Sequence, residues 1–81
     1  MKARIHVFLK DGVFDPQGNT VAGNLQSMGF KKVSDVKIGK VIDVDLKHES
    51  QDEAKREIQK MCEQLLVNPV IESYKFEIVT K

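Results

Sequence analysis

Few residues of this chain are of types that could carry out chemistry, and their spacing supports no particular reaction. The single cysteine, Cys62, lies among apolar residues at helical spacing, whereas a nucleophilic thiolate needs exposure and a neighbouring base. The two histidines, His6 and His48, stand in no pattern typical of metal ligands. Asp43 and Asp45 share one face of a predicted strand, but flanking lysines are typical of a solvated face. We therefore expect no catalytic, metal or cofactor site in this chain.

The segment Lys10–Gly18, with the sequence KDGVFDPQG, leads from a predicted strand into a predicted helix. Such a junction can hold phosphate, but Asp11 and Asp15 would repel an anion, and no glycine-rich phosphate-binding pattern is present. Its unusual feature is the apolar pair Val13 and Phe14 in a polar loop. Phe14 could pack on the first helical turn as a hydrophobic staple, or the pair could dock another protein. The residues alone leave both interpretations open.

Length and composition narrow the class of protein. The chain has 81 residues, of which 41% are hydrophobic and 31% charged, which is typical of one globular domain over residues 1–81. Thirteen basic and twelve acidic side chains give a formal net charge of +1, so we expect no nucleic-acid or membrane partner. One cysteine and no recognisable targeting segment favour a cytoplasmic protein. A core this small favours support from a second subunit.

Periodicity predicts the elements in the first half of the chain. Residues 3–9 alternate between apolar and polar types, as in a half-buried strand. Asp15–Pro16 is typical of a helix start, and Gly29 of a helix end. A second strand is expected through Val33, Val36 and Ile38, with Gly39–Lys40 as a hairpin turn.

The second half repeats the pattern. A third strand is expected over residues 41–47 and a final strand over 73–79. Between them, Ser50 and Glu53 form a capping box that opens a second helix, which Asn68–Pro69 ends. The order β-α-β-β-α-β predicts an α+β two-layer sandwich, with a four-stranded, mostly antiparallel sheet and two helices on one face.

The other face of that sheet carries apolar side chains where polar ones are expected. Phe8, Val41 and Val79 occupy these outer positions. They predict a dimer interface in which a second copy covers the face or exchanges a segment with its partner.

Three classes of function remain open from the residues alone. The chain could be a non-catalytic subunit of a larger enzyme, a small-ligand-sensing module, or an RNA-binding domain with this topology. RNA binding would require aromatic residues on two central strands, but the first strand offers Phe8 and the third offers none. A sensing module would require glycine-rich loops at a dimer interface, which Gly12 and Gly18 satisfy weakly.

Two segments resemble one family. The stretch Leu9–Gly18 is similar to the LKxGVxDPQG signature of the PurS family, the small subunit of phosphoribosylformylglycinamidine (FGAM) synthase. Gly39–Lys40 matches a GK in the middle of that family's sequence. The residues from Cys62 to Tyr74 are similar to its ending, C..LL.NPVIE.Y. Asp11, Phe14 and Val67 depart mildly from the family pattern.

The resemblance implies a non-catalytic subunit of an ATP-dependent carbon–nitrogen ligase in purine biosynthesis. In this family a large synthetase subunit uses ATP and Mg²⁺, and a glutaminase subunit releases ammonia from glutamine. The small subunit self-associates and bridges the other two. Its contacts with them are expected in the two signature segments, at Val13, Phe14, Asp15, Pro16, Gln17, Gly18, Asn68 and Pro69.

Overall fold

The computed structural model describes residues 1–47 and 50–79 of the chain, so His48 lies outside the described residues. The strands are β1 (Lys2–Leu9), β2 (Lys40–Asp45) and β3 (Glu72–Val79), and the helices are α1 (Pro16–Ser27) and α2 (Gln51–Met61), the latter followed by a π-helical segment, Cys62–Leu66. The sheet has the order β2-β1-β3, and both strand pairs are antiparallel. In the part of the chain just given, no helix is long and apolar enough to cross a bilayer.

The central strand β1 supplies the middle of the core, as its alternation predicts. Ile5 is fully buried and lies between Ile42 of β2 and Phe76 of β3. Because opposite residues of an antiparallel pair share a face, the apolar positions of all three strands form one surface. α2 covers this surface. The buried core consists of Ala3, Ile5, Val7, Ile58, Cys62 and Val67.

α2 begins where the sequence predicts, and a π-helical segment extends it towards the predicted end. The hydroxyl of Ser50 accepts a 3.3 Å hydrogen bond from the backbone N–H of Glu53, as in a capping box. The helical path continues beyond Met61 through the π-helical segment, in which the N–H of Val67 donates to the carbonyl of Cys62 at 3.1 Å. Asn68–Pro69 then ends the helical path, as expected.

α1 also forms as predicted, but it does not lie on the sheet as the second helix of a sandwich. Asp15 caps it, Pro16 is its first residue, and Gly29 follows with a φ of +106°. None of its residues belongs to the core of the sheet. Its apolar stripe is narrow, and Val21 and Met28 are exposed. The expectation of two helices packed on one face is therefore correct for α2 and wrong for α1 within this chain.

The predicted second strand is absent from the described residues. Residues 33–39 form neither helix nor strand, and Lys40, expected in a turn, is the first residue of β2. Side chains satisfy backbone groups here in place of a strand ladder: the N–H of Val36 donates to Asp35 and that of Ile38 to Asp15. Within residues 1–47 and 50–79 the sheet thus has three strands, and the predicted hairpin is wrong.

Candidate docking site

An apolar groove of about 400 Å³ lies where the end of β1, the loop before α1 and the start of β2 meet. We call it the junction groove. Its apolar lining includes Phe8, Phe14, Pro16, Ile38 and Ile71. The groove forms because β1 and α1 diverge at the loop over residues 10–15, while residues 38–40 and 71–72 close its sides.

One side of the groove carries an ion pair. The ammonium of Lys40 lies 3.9 Å from a carboxylate oxygen of Glu72. The other carboxylate oxygen of Glu72 accepts a hydrogen bond of 2.8 Å from the backbone N–H of Asn68. An apolar cleft with one charged side can bind an apolar side chain and orient a neighbouring polar group.

Most of the predicted partner-contact residues line this groove. Val13 is half-buried, Pro16 and Gln17 are exposed, and Phe14 has 69% of its surface exposed. That exposure is more than a staple packed on α1 would leave, so the structure favours the docking interpretation of Phe14. Gly18, in the first turn of α1, is buried and does not line the groove.

Asp15 is the buried charged residue of the site, with 7% of its surface exposed. Its carboxylate accepts hydrogen bonds from the backbone N–H groups of Gly18 at 2.9 Å and Ile38 at 2.8 Å. These two bonds, in that order of effect, hold the pKa of Asp15 below its ordinary value, although burial opposes them. Asp15 is therefore an ionised, buried residue that connects the start of α1 to Ile38. The sequence had predicted that it contacts a partner subunit.

Part of the second signature segment, Ile71 and Glu72, lines the groove, whereas Asn68 and Pro69 lie beside it. The backbone N–H of Lys10 donates to the carbonyl of Ile71 at 2.9 Å, and its ammonium donates to the carbonyl of Pro69 at 2.7 Å. The side chain of Asn68 accepts from the N–H of Val70 at 3.0 Å, which stabilises the turn. Asn68 and Pro69 thus adjoin the site, and Ile71 contributes directly to its lining.

The three predicted dimer residues share one sheet face but do not form one patch. Val41 lies opposite His6, close to exposed Phe8, whereas Val79 lies opposite Lys2 at the far end of β1.

Charged residues separate them on that face. Between them, the guanidinium of Arg4 forms a 3.0 Å ion pair with Asp43 and lies near Glu77. The hydrogen bond from Arg4 holds the pKa of Asp43 below its ordinary value. The structure brings Phe8 to the junction groove instead.

Sequence reasoning missed several exposed apolar residues. Leu65 belongs to the apolar pattern of the second helix, yet 83% of its surface is exposed. The π-helical segment explains this, because its wider turn shifts the residues that follow away from the core-facing stripe. Met28, Phe30 and Val70 are exposed as well. The sequence offered one sign of this exposure, which is the run of Met28, Gly29 and Phe30 just beyond the end of α1.

Cys62 and His6, two of the residues considered for chemistry, lie on opposite sides of the sheet. Cys62 is fully buried in the core, and burial raises the pKa of its thiol, with a smaller contribution from Glu63. His6 lies on the open sheet face between Val41 and Lys75. Within residues 1–47 and 50–79, no three His, Cys, Asp or Glu side chains are grouped so as to hold a metal ion.

Comparison with known proteins decides the family. The family model PurS, described as phosphoribosylformylglycinamidine (FGAM) synthase, matches residues 2–80. The chain belongs to the PurS family. This confirms the resemblance seen in the two signature segments. It also confirms that the chain is a PurS-type subunit of FGAM synthase, an enzyme of purine biosynthesis.

Individual relatives agree along almost the whole chain. A PurS subunit of FGAM synthase from Archaeoglobus fulgidus is 46% identical over 74 residues, covering 91% of this chain and 92% of the relative. The corresponding subunit from Bacillus subtilis is 40% identical over 77 residues, covering 95% of this chain and 90% of the relative.

Solved PurS structures share the α+β fold. The B. subtilis PurS structure superimposes with a TM-score of 0.86 at 39% identity and covers 98% of both chains. A chain in the structure of PurLQS from Thermotoga maritima gives a TM-score of 0.86 at 33% identity, covering 96% of this chain and 95% of that one.

Proposed function

We propose that this PurS-type chain is the non-catalytic assembly subunit that bridges the synthetase and glutaminase subunits of FGAM synthase. The observation that carries the proposal is the junction groove, where both signature segments meet at an exposed apolar surface. The existence of a complex called PurLQS in T. maritima, with a chain of this fold, supports it. The sequestered thiol of Cys62 is consistent with chemistry located in other subunits.

The division of labour follows the family. The large subunit binds ATP, Mg²⁺ and formylglycinamide ribonucleotide (FGAR), and the glutaminase supplies ammonia from glutamine. The complex converts ATP, FGAR, glutamine and water into FGAM, ADP, phosphate and glutamate, in the cytoplasm. This chain contributes neither cofactor nor catalytic residue. Holding the two active sites together allows ammonia to pass between them without loss to solvent.

The assembly role includes self-association. Among the residues that the structure describes, β2 and β3 each have one edge without a neighbouring strand. Such edges accept another strand readily. Residues 33–38 carry a strand-like apolar pattern that slips at Asp35, but they form no ladder with the described residues of their own chain. A homodimer in which this segment adds to the partner's sheet would provide the fourth strand that the sequence predicts. Sedimentation equilibrium of the purified chain tests this, and a monomer at micromolar concentration contradicts it.

Substitution of Phe14 tests the docking role. Phe14→Ser removes an exposed apolar contact from the groove, whereas Leu65→Ser is a matched control at a similarly exposed apolar residue outside it. Each variant is mixed with purified synthetase and glutaminase in the presence of ADP and glutamine. We expect Phe14→Ser to weaken complex formation at least tenfold, about 1.4 kcal/mol, and Leu65→Ser to leave it unchanged. Normal assembly and glutamine-dependent activity with Phe14→Ser would refute docking at the groove.

The same preparation discriminates the other classes of function. A ligand-sensing module would show a small-molecule thermal shift without any partner. An RNA-binding domain would bring nucleic acid through purification. Neither outcome is expected from an assembly subunit.

A further inference from the structure

The carboxylate of Asp15 bonds two backbone N–H groups that are far apart along the chain. Its Oδ1 accepts from Gly18 at 2.9 Å, and its Oδ2 accepts from Ile38 at 2.8 Å. The first bond is the ordinary cap of α1, which any side chain with one well-placed acceptor can make. The second joins the start of α1 to a residue 23 positions later and requires the second carboxylate oxygen. Asp15 therefore connects two segments in addition to capping a helix.

Gly18 allows the same later segment to lie directly against the first turn of α1. A Cβ atom at position 18 would overlap the backbone carbonyl of Val36. The approach is thus possible only without a side chain. Residues 34–38 form neither helix nor strand, so no strand ladder holds them in place. We call Asp15, Gly18, Val36 and Ile38 the clasp.

The clasp lies between the sheet and the loop over residues 10–15, which we call the docking loop. Val13 and Phe14 directly precede Asp15, and the ammonium of Lys37, in the clasped segment, approaches the carbonyl of Val13 at 3.4 Å. The next residue after the clasp, Gly39, passes close to the β1 backbone. Because α1 gives no residue to the core of the sheet, its direction depends on this connection rather than on core packing.

We propose that Asp15 and Gly18 are positioning residues of the docking site. They do not contact the partner subunits but hold Val13, Phe14 and α1 in the orientation that those subunits bind. This inference rests on the proposed assembly role. It divides the DPQG motif into exposed contact residues, Pro16 and Gln17, and internal residues that set their orientation.

The expected effect follows from preorganisation. A chain without the clasp samples other orientations of α1 and the docking loop. Its apparent affinity for the partner subunits falls in proportion to the fraction of molecules that remain in the binding-competent orientation. If that fraction is about one tenth, the affinity falls about tenfold.

Hydrogen exchange on the free, full-length chain tests the clasp itself. Asp15→Ala removes both acceptors, so the amides of Gly18 and Ile38 should exchange at least tenfold faster. The amide of Ile5 in the central strand should stay protected. Phe14→Ser is the matched control, because it changes the loop without touching the clasp. If Asp15→Ala unfolds, Asp15→Asn keeps one acceptor and should expose one of the two amides. Unchanged exchange at both amides overturns the clasp.

Assembly with the synthetase and glutaminase subunits tests the positioning role. Asp15→Ala and Gly18→Ala should each weaken binding about tenfold, and the double variant should be about as weak as either one, since both disrupt one unit. Adding Phe14→Ser to a clasp variant should weaken binding further, because it removes a separate, direct contact. If exchange confirms the clasp but both clasp variants bind as tightly as the unchanged chain, positioning is refuted. If Phe14→Ser also binds normally, the docking function itself fails, while the exchange result still decides the clasp.

Discussion

The ammonium of Lys10 donates a 2.7 Å hydrogen bond to the carbonyl oxygen of Pro69, joining two segments that are 59 residues apart. Lys10 opens the docking loop, and Pro69 lies in the turn that leads to β3. The backbone N–H of Lys10 also donates to Ile71. Together, these two hydrogen bonds hold the second signature segment against the docking loop, so that it forms one side of the junction groove.

Removal of the Lys10 ammonium should loosen that side of the groove. Lys10→Met keeps most of the aliphatic stem but loses the bond to Pro69. We expect the free energy of unfolding to fall by about 1 kcal/mol, and the amides of residues 70–72 to exchange faster. Urea unfolding and hydrogen exchange measure the two effects. Lys75→Met, on the exposed face of β3, is the control. Equal effects of the two substitutions would show that the Lys10 bond is not used.

Substitution of alanine for Gly39 and for Gly23 should change the stability of the chain in opposite directions. A Cβ atom at Gly39 would lie 2.7 Å from the carbonyl oxygen of Val7, so Gly39→Ala should destabilise the chain by about 1–3 kcal/mol. A Cβ atom at Gly23 meets nothing within 4 Å, so Gly23→Ala should stabilise α1 by up to about 1 kcal/mol. Thermal unfolding of both variants checks the signs. A loss of stability in Gly23→Ala would reveal a close neighbour that only the assembled protein supplies.

Stability should fall in acid because of two carboxylates. Backbone N–H bonds lower the pKa of Asp15, with Lys37 nearby, and the guanidinium of Arg4 lowers the pKa of Asp43, with Lys2 and His6 nearby. Each contribution is present above the unfolded pKa, near 3.8, and is lost as the pH falls through the lower folded pKa.

Asp15→Asn and Asp43→Asn should therefore each reduce the decrease in the free energy of unfolding that occurs as the pH falls. Urea unfolding between about pH 2.5 and 6 measures it. Asp11→Asn, in the same loop as Asp15, is the control. A profile unchanged by either of the first two substitutions would contradict the assignment.

Cys62 should behave as a core residue and not as a nucleophile. Burial raises the pKa of its thiol, so a disulfide reagent should react slowly with the folded chain and rapidly in denaturant. Cys62→Ala should leave the glutamine-dependent activity of the reconstituted complex unchanged at a temperature where the variant is folded. Rapid labelling of the folded chain, or a loss of activity without unfolding, would refute this assignment.

The correct sequence predictions depend on short-range interactions. Asp15 and Gly18 are three positions apart, as are Ser50 and Glu53, so each cap could be read directly from the chain. Gly29 has the positive φ that its position after a helix predicts. The alternation of β1 also identified the face that becomes the core, because a strand with one buried face has a period of two.

The incorrect predictions concern partners that are far apart along the chain. Residues 33–38 have a strand-like pattern, but a strand needs a neighbouring backbone, and here the Ile38 N–H bonds Asp15 instead. Leu65 fits the apolar stripe, yet the π-helical segment turns it outward. Asp15 caps α1 as predicted, but its second, distant hydrogen bond to Ile38 could not be read from the chain.

The amino-acid sequence by itself determined the helix starts, the central strand, the family and the two segments that meet at the junction groove. Only the tertiary structure decided that Phe14 is exposed while Asp15 is internal, and that Lys10 and Pro69 are neighbours. The physical reason is the range of the forces. Caps and strand alternation depend on residues a few positions apart, whereas burial and the closing of a groove depend on contacts that exist only once the chain has folded.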